Sequence, residues 1–189
     1  NEYQKAKAIY DYMCSNITYD YKNLNDPNYT LKFSAYAALI NKTSVCQGYA
    51  TLFYRLALEA GLDARVIAGV AGGGNHAWNI VKINGSYYNL DSTWDAGRDP
   101  YDYFLMLDQT RPGKMHFLKN MDDFSDHDRN ADYTASDFVT AYPMSATSYD
   151  ESAPVYGEPT YEWAADYSSV TAKRLCETDG TYETETVET

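Results

Sequence analysis

The chain has 189 residues, of which 44% are hydrophobic, and its formal net charge is −12. This length allows one domain with a full hydrophobic core and a small appendage. Basic residues form no stripe along the sequence, so nucleic acid and anionic membrane are excluded as expected partners, since both attract concentrated positive charge. No apolar run in the sequence approaches the roughly 20 residues that span a bilayer.

The first third of the sequence has patterns typical of helices. Apolar residues recur at spacings of three and four over residues 2–17, which predicts an amphipathic helix. A short helix is predicted over 34–40. A stronger helical pattern begins after Ser44 and stops at Gly61, a residue that readily takes the left-handed conformation at a helix end. Cys46 is therefore predicted to lie in the first turn of this helix.

Predicted β-strands follow the helices. Residues 64–71 are apolar and rich in Val and Ile, which predicts a strand that ends before a glycine triplet. Residues 76–83 and 86–94 flank Asn84-Gly85, and this dipeptide between β-rich runs is the strongest short-range signal for a hairpin. A further strand is predicted over 103–107. Helices followed by antiparallel strands indicate an α+β fold rather than alternating βαβ units.

The end of the chain is predicted to form a smaller module. Beyond His116 the sequence turns acidic and rich in loop-forming residues. We expect a main domain over 1–145, a linker over 146–157, and over 158–189 a small β module or the start of a surface repeat. The predicted strands of this module are 161–167, 169–176 and 182–187. Its final charged stretch suits a linker equally well.

Three residues at the ends of predicted elements suggest a catalytic site. Cys46 opens a helix, where unpaired backbone N–H groups and the helix dipole favour a thiolate. The same N–H groups can stabilise an oxyanion on an attacked carbonyl. His76 opens one strand of the predicted hairpin, and Asp91 lies near the end of the other. We interpret these residues as a nucleophile, a base and an orienting carboxylate.

The register of the hairpin gives a geometric check on this interpretation. With Asn84-Gly85 at the turn, Ile83 faces Ser86. Residues two apart share a face of a strand, so this register puts His76 and Asp91 on one face as diagonal neighbours. Diagonal Cβ atoms lie roughly 7–8 Å apart or less, which lets a carboxylate reach an imidazole nitrogen. A slip of one residue would put the two side chains on opposite faces.

Three motifs carry a family resemblance. They are Val45-Cys46-Gln47-Gly48-Tyr49-Ala50, His76-Ala77-Trp78-Asn79 and Tyr88-Asn89-Leu90-Asp91-Ser92-Thr93-Trp94-Asp95. Over roughly residues 17–142 the chain resembles the transglutaminase-like superfamily, and more narrowly its bacterial members akin to the cytokinesis-associated branch. The resemblance implies a papain/transglutaminase-like α+β core, in which a helix carrying the nucleophile packs against an antiparallel sheet.

The resemblance also implies roles for single residues. Cys46 is expected to be the nucleophile, His76 the general base and acid, and Asp91 the residue that orients His76. Asn79 and Trp94 fall within the motifs as well. For these two residues, a structural role in the core or the hairpin is as open as a role in function.

The predicted function is cysteine-dependent acyl transfer on amide bonds through a thioester. Hydrolysis is expected, by a peptidase or amidase acting on protein or cell-wall peptide, with no cofactor and no metal. The alternatives are an amine-transferring transglutaminase and a non-catalytic surface module for binding or scaffolding. An extracellular or cell-surface location is expected from the 20 Tyr and few Lys, and from a resemblance of residues 159–186 to repeat modules of Firmicute surface proteins. Asn1, with neither Met nor a signal peptide, indicates a piece of a longer chain.

Other candidate sites have simpler explanations. In an oxidising compartment Cys14 and Cys176 would form a bridge, and the alternative is three reduced, buried thiols. Residues 126–132 imitate the spacing of calcium ligands but lack the glycine of such a loop, so a solvated acidic loop is expected. His116 and His127 are interpreted as surface or satisfied polar residues, because the three His and three Cys do not have zinc-site spacing.

Overall fold

The computed structural model describes residues 1–99, 101–111, 114–117, 127–152, 159–166, 168–176 and 180–188, with the backbone alone described for 109–111 and 114–117. The chain forms two units. The larger unit spans Glu2–Ser148, and the smaller one comprises Tyr149–Thr189 together with Asn1. The finer division into a domain, a linker and a β module stays a prediction.

The larger unit begins with two helices that match the predicted patterns. Its first elements are α1 (Glu2–Asn16), β1 (Thr18–Tyr19), β2 (Thr43–Ser44) and α2 (Cys46–Glu59). β1 and β2 pair in parallel, and α2 begins at Cys46 as predicted. The short helix predicted over 34–40 is found as a π-helical turn at Ala37–Asn41. No helix in the described part of the chain is both long and apolar enough to cross a membrane.

An antiparallel sheet follows α2. Within the described residues of the larger unit its strands are β3 (Ala64–Ala71), β4 (Gly74–Ile83), β5 (Ser86–Leu90), β6 (Gln109–Arg111), β7 (Lys114–Phe117) and β8 (His127–Arg129). Their order across the sheet is β5-β4-β3-β8-β7-β6. β4 and β5 form the predicted hairpin with Ile83 opposite Ser86. Asn84 (φ 50°) and Gly85 (φ 89°) both have the positive φ that a two-residue type I′ turn requires. A short helix, α3 (Ser136–Ala141), follows β8.

Two strand predictions after this hairpin need correction. The strand predicted over 103–107 is not found: Leu105 has a φ of 54°, which is outside the range of a strand. Only an isolated bridge between Met106 and Asn89 is formed there by the described residues. The strand predicted to run to residue 94 ends at Leu90, because a turn begins at the next residue.

Side chains are buried on both faces of the sheet. On one face the amide of Asn79 donates to the carbonyl of Ala50 in α2 at 2.9 Å, and α2 packs on β3 and β4. On the other face lies a cluster of buried residues, namely Ile67, Trp78, Ile80, Tyr87 and Tyr103. The fold is therefore α+β, with the helix that carries Cys46 packed against an antiparallel sheet, as predicted.

The smaller unit contains a second antiparallel sheet. Its strands within the described residues are β9 (Thr160–Trp163), β10 (Ser169–Leu175) and β11 (Tyr182–Glu188), with β10 in the centre. These strands lie where short strands were predicted, although Tyr167 falls outside the described residues. Tyr161, Trp163 and Tyr182 of this sheet are more than half exposed.

Candidate active site

Cys46 is the first residue of α2 and is only partly buried. Val45 leads into the helix in an extended conformation. The N–H groups of Gly48 and Tyr49 donate to the Val45 carbonyl, whereas those of Cys46 and Gln47 have no hydrogen-bond partner among the described residues. Two backbone donors beside the sulfur are thus open to a ligand, as expected at a helix N-terminus.

His76 lies near the start of β4 and interacts with both other residues of the predicted triad. Its Nε2 is 2.6 Å from Oδ2 of Asp91. An ionised carboxylate can only accept hydrogen bonds, so Nε2 donates and Nδ1 is the ring nitrogen left for the thiol. Cys46 also helps to raise the pKa of His76, so its sulfur lies close to this ring. The structure therefore brings together the three residues that the sequence singled out.

Asp91 follows β5 and is 1% exposed. Its Oδ1 accepts hydrogen bonds from the N–H groups of Thr93 (2.9 Å) and Trp94 (3.3 Å). Such a bond from an Asp side chain to the backbone two residues on is the signature of an Asx turn, and it explains why β5 ends at Leu90. The turn uses Oδ1 and keeps Oδ2 available to accept from His76. The local structure that ends the strand therefore also orients the carboxylate towards His76.

Burial and mutual attraction set the charges of this pair. Burial alone would lower the pKa of His76, but the charge of Asp91 and the hydrogen bonds to Asp91 and Cys46 outweigh it and raise the pKa to about 10. Burial alone would raise the pKa of Asp91, but the charge of His76 and hydrogen bonds from His127 and His76 hold it well below its usual range. At neutral pH the pair is an imidazolium beside a carboxylate.

A second histidine reaches the same carboxylate. His127 opens β8, is 0% exposed, and places Nε2 3.0 Å from Oδ2 of Asp91. The expectation of a solvated acidic loop is wrong for residues 127–129, because β8 pairs with β3 and buries both His127 and Arg129. The one sequence signal for this burial is the alternation His127-Asp128-Arg129, and three residues are too few to predict a strand from alternation.

Comparisons with known proteins agree with the motifs. The family model of the transglutaminase-like superfamily matches residues 1–92. Residues 1–92 therefore resemble a transglutaminase-like core. The predicted superfamily is thereby confirmed, whereas the narrower placement among bacterial members akin to the cytokinesis-associated branch stays a prediction. The core contains Cys46, His76 and Asp91 but not His127.

Individual relatives of the transglutaminase-like core are distant. Kyphoscoliosis peptidase of Mus musculus is 27% identical over 132 residues, which are 64% of this chain and 18% of the relative. Kyphoscoliosis peptidase of Homo sapiens is 28% identical over 106 residues, which are 50% of this chain and 16% of the relative. A crystal structure of a TGase is 28% identical, with a TM-score of 0.44 over 51% of this chain and 28% of the other. The chain spans less than a fifth of the length of the curated relatives it matches.

A cleft of about 620 Å³ opens beside His76 in the larger unit. Tyr19 and Tyr21 line one part of it, and Trp94 and Arg98 line another. The rings of Tyr19 and Tyr21 lie 4.8 Å apart, and Tyr21 is 78% exposed. The cleft therefore offers aromatic surface to a ligand next to the proposed base.

A buried lysine supports the wall of this cleft. Lys32 is 3% exposed, and its ammonium donates to the backbone carbonyls of Asn23, Leu24 and Asp26 at 2.6 to 2.9 Å. The Asp20 carboxylate in turn accepts from the backbone and side chain of Asn23. Because Leu24 lines the cleft, these bonds fix the shape of one wall.

The polar groups around Asp91 have the chemistry of a metal site. His76, Asp91 and His127 offer three ligand atoms within 4.8 Å of one another, and His and Asp are ligands of zinc. The distances from Oδ2 of Asp91 to Nε2 of His76 (2.6 Å) and to Nε2 of His127 (3.0 Å) are hydrogen-bond lengths. Ligands bound to one tetrahedral Zn²⁺ at about 2.0 Å lie roughly 3.3 Å apart, so the observed spacing fits shared protons better than a shared metal.

The two other motif residues have different surroundings. Asn79 is 1% exposed, and its amide donates to the carbonyls of Ala50 (2.9 Å) and Arg65 (3.1 Å). It therefore joins α2 to β3 and has a structural role. Trp94 packs against the site, with its ring centroid 4.6 Å from that of His127, and it also lines the cleft.

The remaining sequence candidates lie apart from this site or outside the described residues. All three cysteines are free thiols, as in the alternative without a bridge, but Cys46 is only partly buried. Cys14 is buried with its sulfur 3.7 Å from the Ser92 carbonyl, and burial raises the pKa of its thiol. The side chain of His116, and Asp126 of the calcium-like stretch, fall outside the described residues.

Proposed function

We propose that Cys46, His76 and Asp91 are the catalytic triad of a cysteine-dependent acyl transferase that acts on amide bonds. One observation carries the proposal: Nε2 of His76 is 2.6 Å from a buried carboxylate, while Cys46 lies near enough to the same ring to help raise its pKa. An imidazolium beside a sulfur favours the thiolate, which is the nucleophilic form. The family match over residues 1–92 supports the assignment because it covers all three residues.

The proposed reaction passes through a thioester. The Cys46 thiolate attacks the carbonyl carbon, forms an S–C bond and moves the carbonyl π electrons onto oxygen. The open N–H groups of Cys46 and Gln47 donate to this oxyanion. Nδ1–H of His76 then gives its proton to the leaving nitrogen as the C–N bond breaks. Water attacks the thioester, loses its proton to Nδ1, and releases the acid and the thiolate.

We favour hydrolysis of peptide amide bonds by this site. The cleft beside His76 has aromatic walls and enough volume for a segment of peptide. The mouse and human relatives are named peptidases, which supports the same class of reaction here. A secreted or surface location, with cell-wall peptide as a substrate, completes the proposal and is supported by composition and by the repeat-like sequence of residues 159–186.

Two alternatives keep the same fold. In an amine-transferring transglutaminase, an amine replaces water in the attack on the thioester. In a non-catalytic surface module, binding replaces turnover, and the exposed aromatic residues Tyr161, Trp163 and Tyr182 of the smaller unit are suited to contact a partner.

Thiol labelling tests the proposed triad without a known substrate. Limiting iodoacetamide should modify Cys46 in the native protein, while the buried Cys14 and Cys176 serve as internal references in the same mass spectrum. Cys46→Ala should leave the native protein unmodified. His76→Ala should slow modification of Cys46 by about 100-fold, because the imidazolium that favours the thiolate is removed. Equal rates in wild type and His76→Ala would overturn the proposal.

Product analysis separates the three outcomes. A peptide pool is incubated with the protein, with and without an excess of a primary amine, and the products are identified by mass spectrometry. Cleaved or deamidated peptides that do not depend on the amine indicate hydrolysis, and amine adducts indicate transfer. If Cys46 labels rapidly and no peptide is turned over, the non-catalytic module is favoured.

A further inference from the structure

We infer that His127 is a positioning residue of the proposed triad, which fixes the Asp91 carboxylate so that it stays bonded to His76. The inference rests on the proposed function and adds a residue outside the stretch that the family model matches, which ends at residue 92. His127 acts on the reaction through Asp91 and His76.

Four donors surround the Asp91 carboxylate. Oδ1 accepts from the N–H groups of Thr93 (2.9 Å) and Trp94 (3.3 Å). Oδ2 accepts from Nε2 of His76 (2.6 Å) and Nε2 of His127 (3.0 Å). A carboxylate offers about four lone-pair sites, so all of them are used. Protonation of Asp91 would place a hydrogen where a donor now points, so the arrangement holds the carboxylate in its ionised form.

A glycine allows β8 to bring His127 to this carboxylate. β8 pairs with β3, and His127 lies opposite Ala71. A Cβ at Gly69 of β3 would overlap the backbone oxygen of Asp128 and approach the Trp78 ring too closely. Glycine at this position therefore permits the close approach of β8 that carries the second histidine to the site.

Aromatic rings hold the imidazole of His127 in its orientation. Its ring centroid lies 4.6 Å from that of Trp94, 5.1 Å from that of Trp78 and 5.7 Å from that of Tyr103. The side chain is 0% exposed, so it cannot turn to solvent while these rings stay packed. Its Nε2 is thereby kept on Oδ2 of Asp91.

Fixing Asp91 has a consequence for the sulfur. With His127 and His76 on one oxygen, Oδ2 is held between two rings and cannot swing away from His76. Nε2 of His76 then stays on the carboxylate, and Nδ1 stays on the side of Cys46. A histidine with a merely structural role could be replaced by another ring of similar size without effect on the sulfur, and this difference can be measured.

The first test asks whether His127 donates to Asp91. The chain has three histidines, so ¹⁵N-histidine labelling gives a simple NMR spectrum. We expect two Nε2–H signals protected from solvent exchange, from His76 and His127. His127→Phe should remove one signal and keep the other, and Asp91→Asn should weaken the protection of both. A wild-type spectrum in which Nε2 of His127 carries no proton would overturn the inference.

The second test asks whether the donor affects the sulfur. His127→Phe keeps a ring but removes the donor, and we expect iodoacetamide to label Cys46 about tenfold more slowly, as for the loss of one charge-assisted hydrogen bond. His127→Gln places an amide N–H near the position of Nε2 and should restore most of the rate. Ile67→Val, a packing change in the same buried cluster, serves as the matched control and should label at the wild-type rate.

The outcomes separate this inference from the proposed triad. All rates are measured well below the lowest unfolding midpoint of the variants. If wild type and His76→Ala label at the same rate, the proposed triad itself is overturned. The case is different if His76→Ala labels more slowly than wild type, as expected. If His127→Phe then labels as fast as wild type, or His127→Gln as slowly as His127→Phe, only the positioning role of His127 is overturned.

Discussion

Two buried polar clusters lie side by side around the sheet, one centred on Asp91 and the other on Arg129. In the second cluster Nη2 of Arg129 donates to Asp108 (2.7 Å) and to the side-chain oxygen of Asn89 (3.0 Å). The amide of Asn89 also donates to Asp108 at 2.7 Å. Trp78 links the two clusters, because its indole N–H donates to Asn89 while its ring packs against His127.

The clusters differ in what they face. In the Asp91 cluster, His76 lines the cleft and lies near the partly exposed thiol of Cys46. Arg129, Asp108 and Asn89 are not among the described residues that line the cleft. Burial of charge is therefore common to both clusters and does not by itself mark a site. A titratable group that connects a buried charge to a cleft is the distinguishing feature.

The comparison of the two clusters predicts that loss of the Asp91 charge has the largest effect on Cys46 labelling, because this charge acts on the sulfur through His76. Asp91→Asn removes the negative charge that stabilises the His76 imidazolium while it keeps the size of the side chain. We expect the rate of iodoacetamide labelling at Cys46 to fall by up to about 100-fold, as in His76→Ala, because Asp91 acts on the sulfur through His76. Asp108→Asn is the matched control and should label within about threefold of wild type. A loss of less than tenfold in Asp91→Asn would contradict the distinction between the clusters.

The Arg129 cluster is expected to affect stability and not reactivity. Arg129→Met leaves Asp108 without its buried cation, so the free energy of unfolding should fall by about 3–5 kcal/mol. Urea denaturation measures this loss, and Cys46 in the folded variant should still label at close to the wild-type rate. The double variant Arg129→Met/Asp108→Leu should regain part of the stability, because no unpaired charge then remains buried. A labelling rate that falls with the stability would show that the clusters act as one.

Lys32 is a third buried charge, and it extends the comparison to the cleft wall. Lys32→Met leaves the carbonyls of Asn23, Leu24 and Asp26 without a donor, so the free energy of unfolding should fall by about 1–3 kcal/mol. Labelling of Cys46 by iodoacetamide should change little, whereas a bulky peptide-based electrophile should react more slowly because the wall has lost its support. Lys5→Met, at an exposed position of α1, is the control and should change stability by less than about 0.5 kcal/mol. If Lys32→Met slows the reaction of Cys46 with both reagents equally, a role of Lys32 limited to the cleft wall is contradicted.

The parts of the site that sequence could predict are those with local causes. Cys46 lies at a helix start that the apolar spacing marks, and the Asn84-Gly85 turn fixes a register in which His76 and Asp91 share a face. These two side chains are 15 residues apart within one hairpin, so turn geometry alone decides their contact. The α+β class follows from the same local patterns.

The missed parts depend on contacts between distant segments. His127 is 36 residues from Asp91 in sequence, and it arrives through a three-residue strand that pairs with β3. No periodicity is measurable over three residues, and the pairing partner is chosen by the fold rather than by a turn. The wrong strand over 103–107 has a similar cause, since the positive φ of Leu105 is a conformation that local propensity gives no reason to expect.

The last prediction concerns a pH-dependent difference in stability between wild type and His76→Gln. The folded-state pKa of His76 is raised to about 10, above the unfolded value of about 6.5. The folded state therefore binds the proton more tightly, and this stabilisation is fully present below pH 6.5 and is lost as the pH rises towards 10. Groups common to both proteins, such as Cys14, cancel in the difference.

Urea denaturation at pH 6 and pH 9.5 measures this difference directly. The advantage of wild type over His76→Gln should shrink by up to about 4 kcal/mol between the two pH values, because about three pH units lie above the unfolded pKa and each corresponds to about 1.4 kcal/mol. Arg129→Met provides the contrast, because neither Arg nor Asp changes charge over this interval, so its deficit should stay constant. A constant difference for His76→Gln as well would mean that the imidazolium is not held by Asp91, and the two clusters would then differ in position alone.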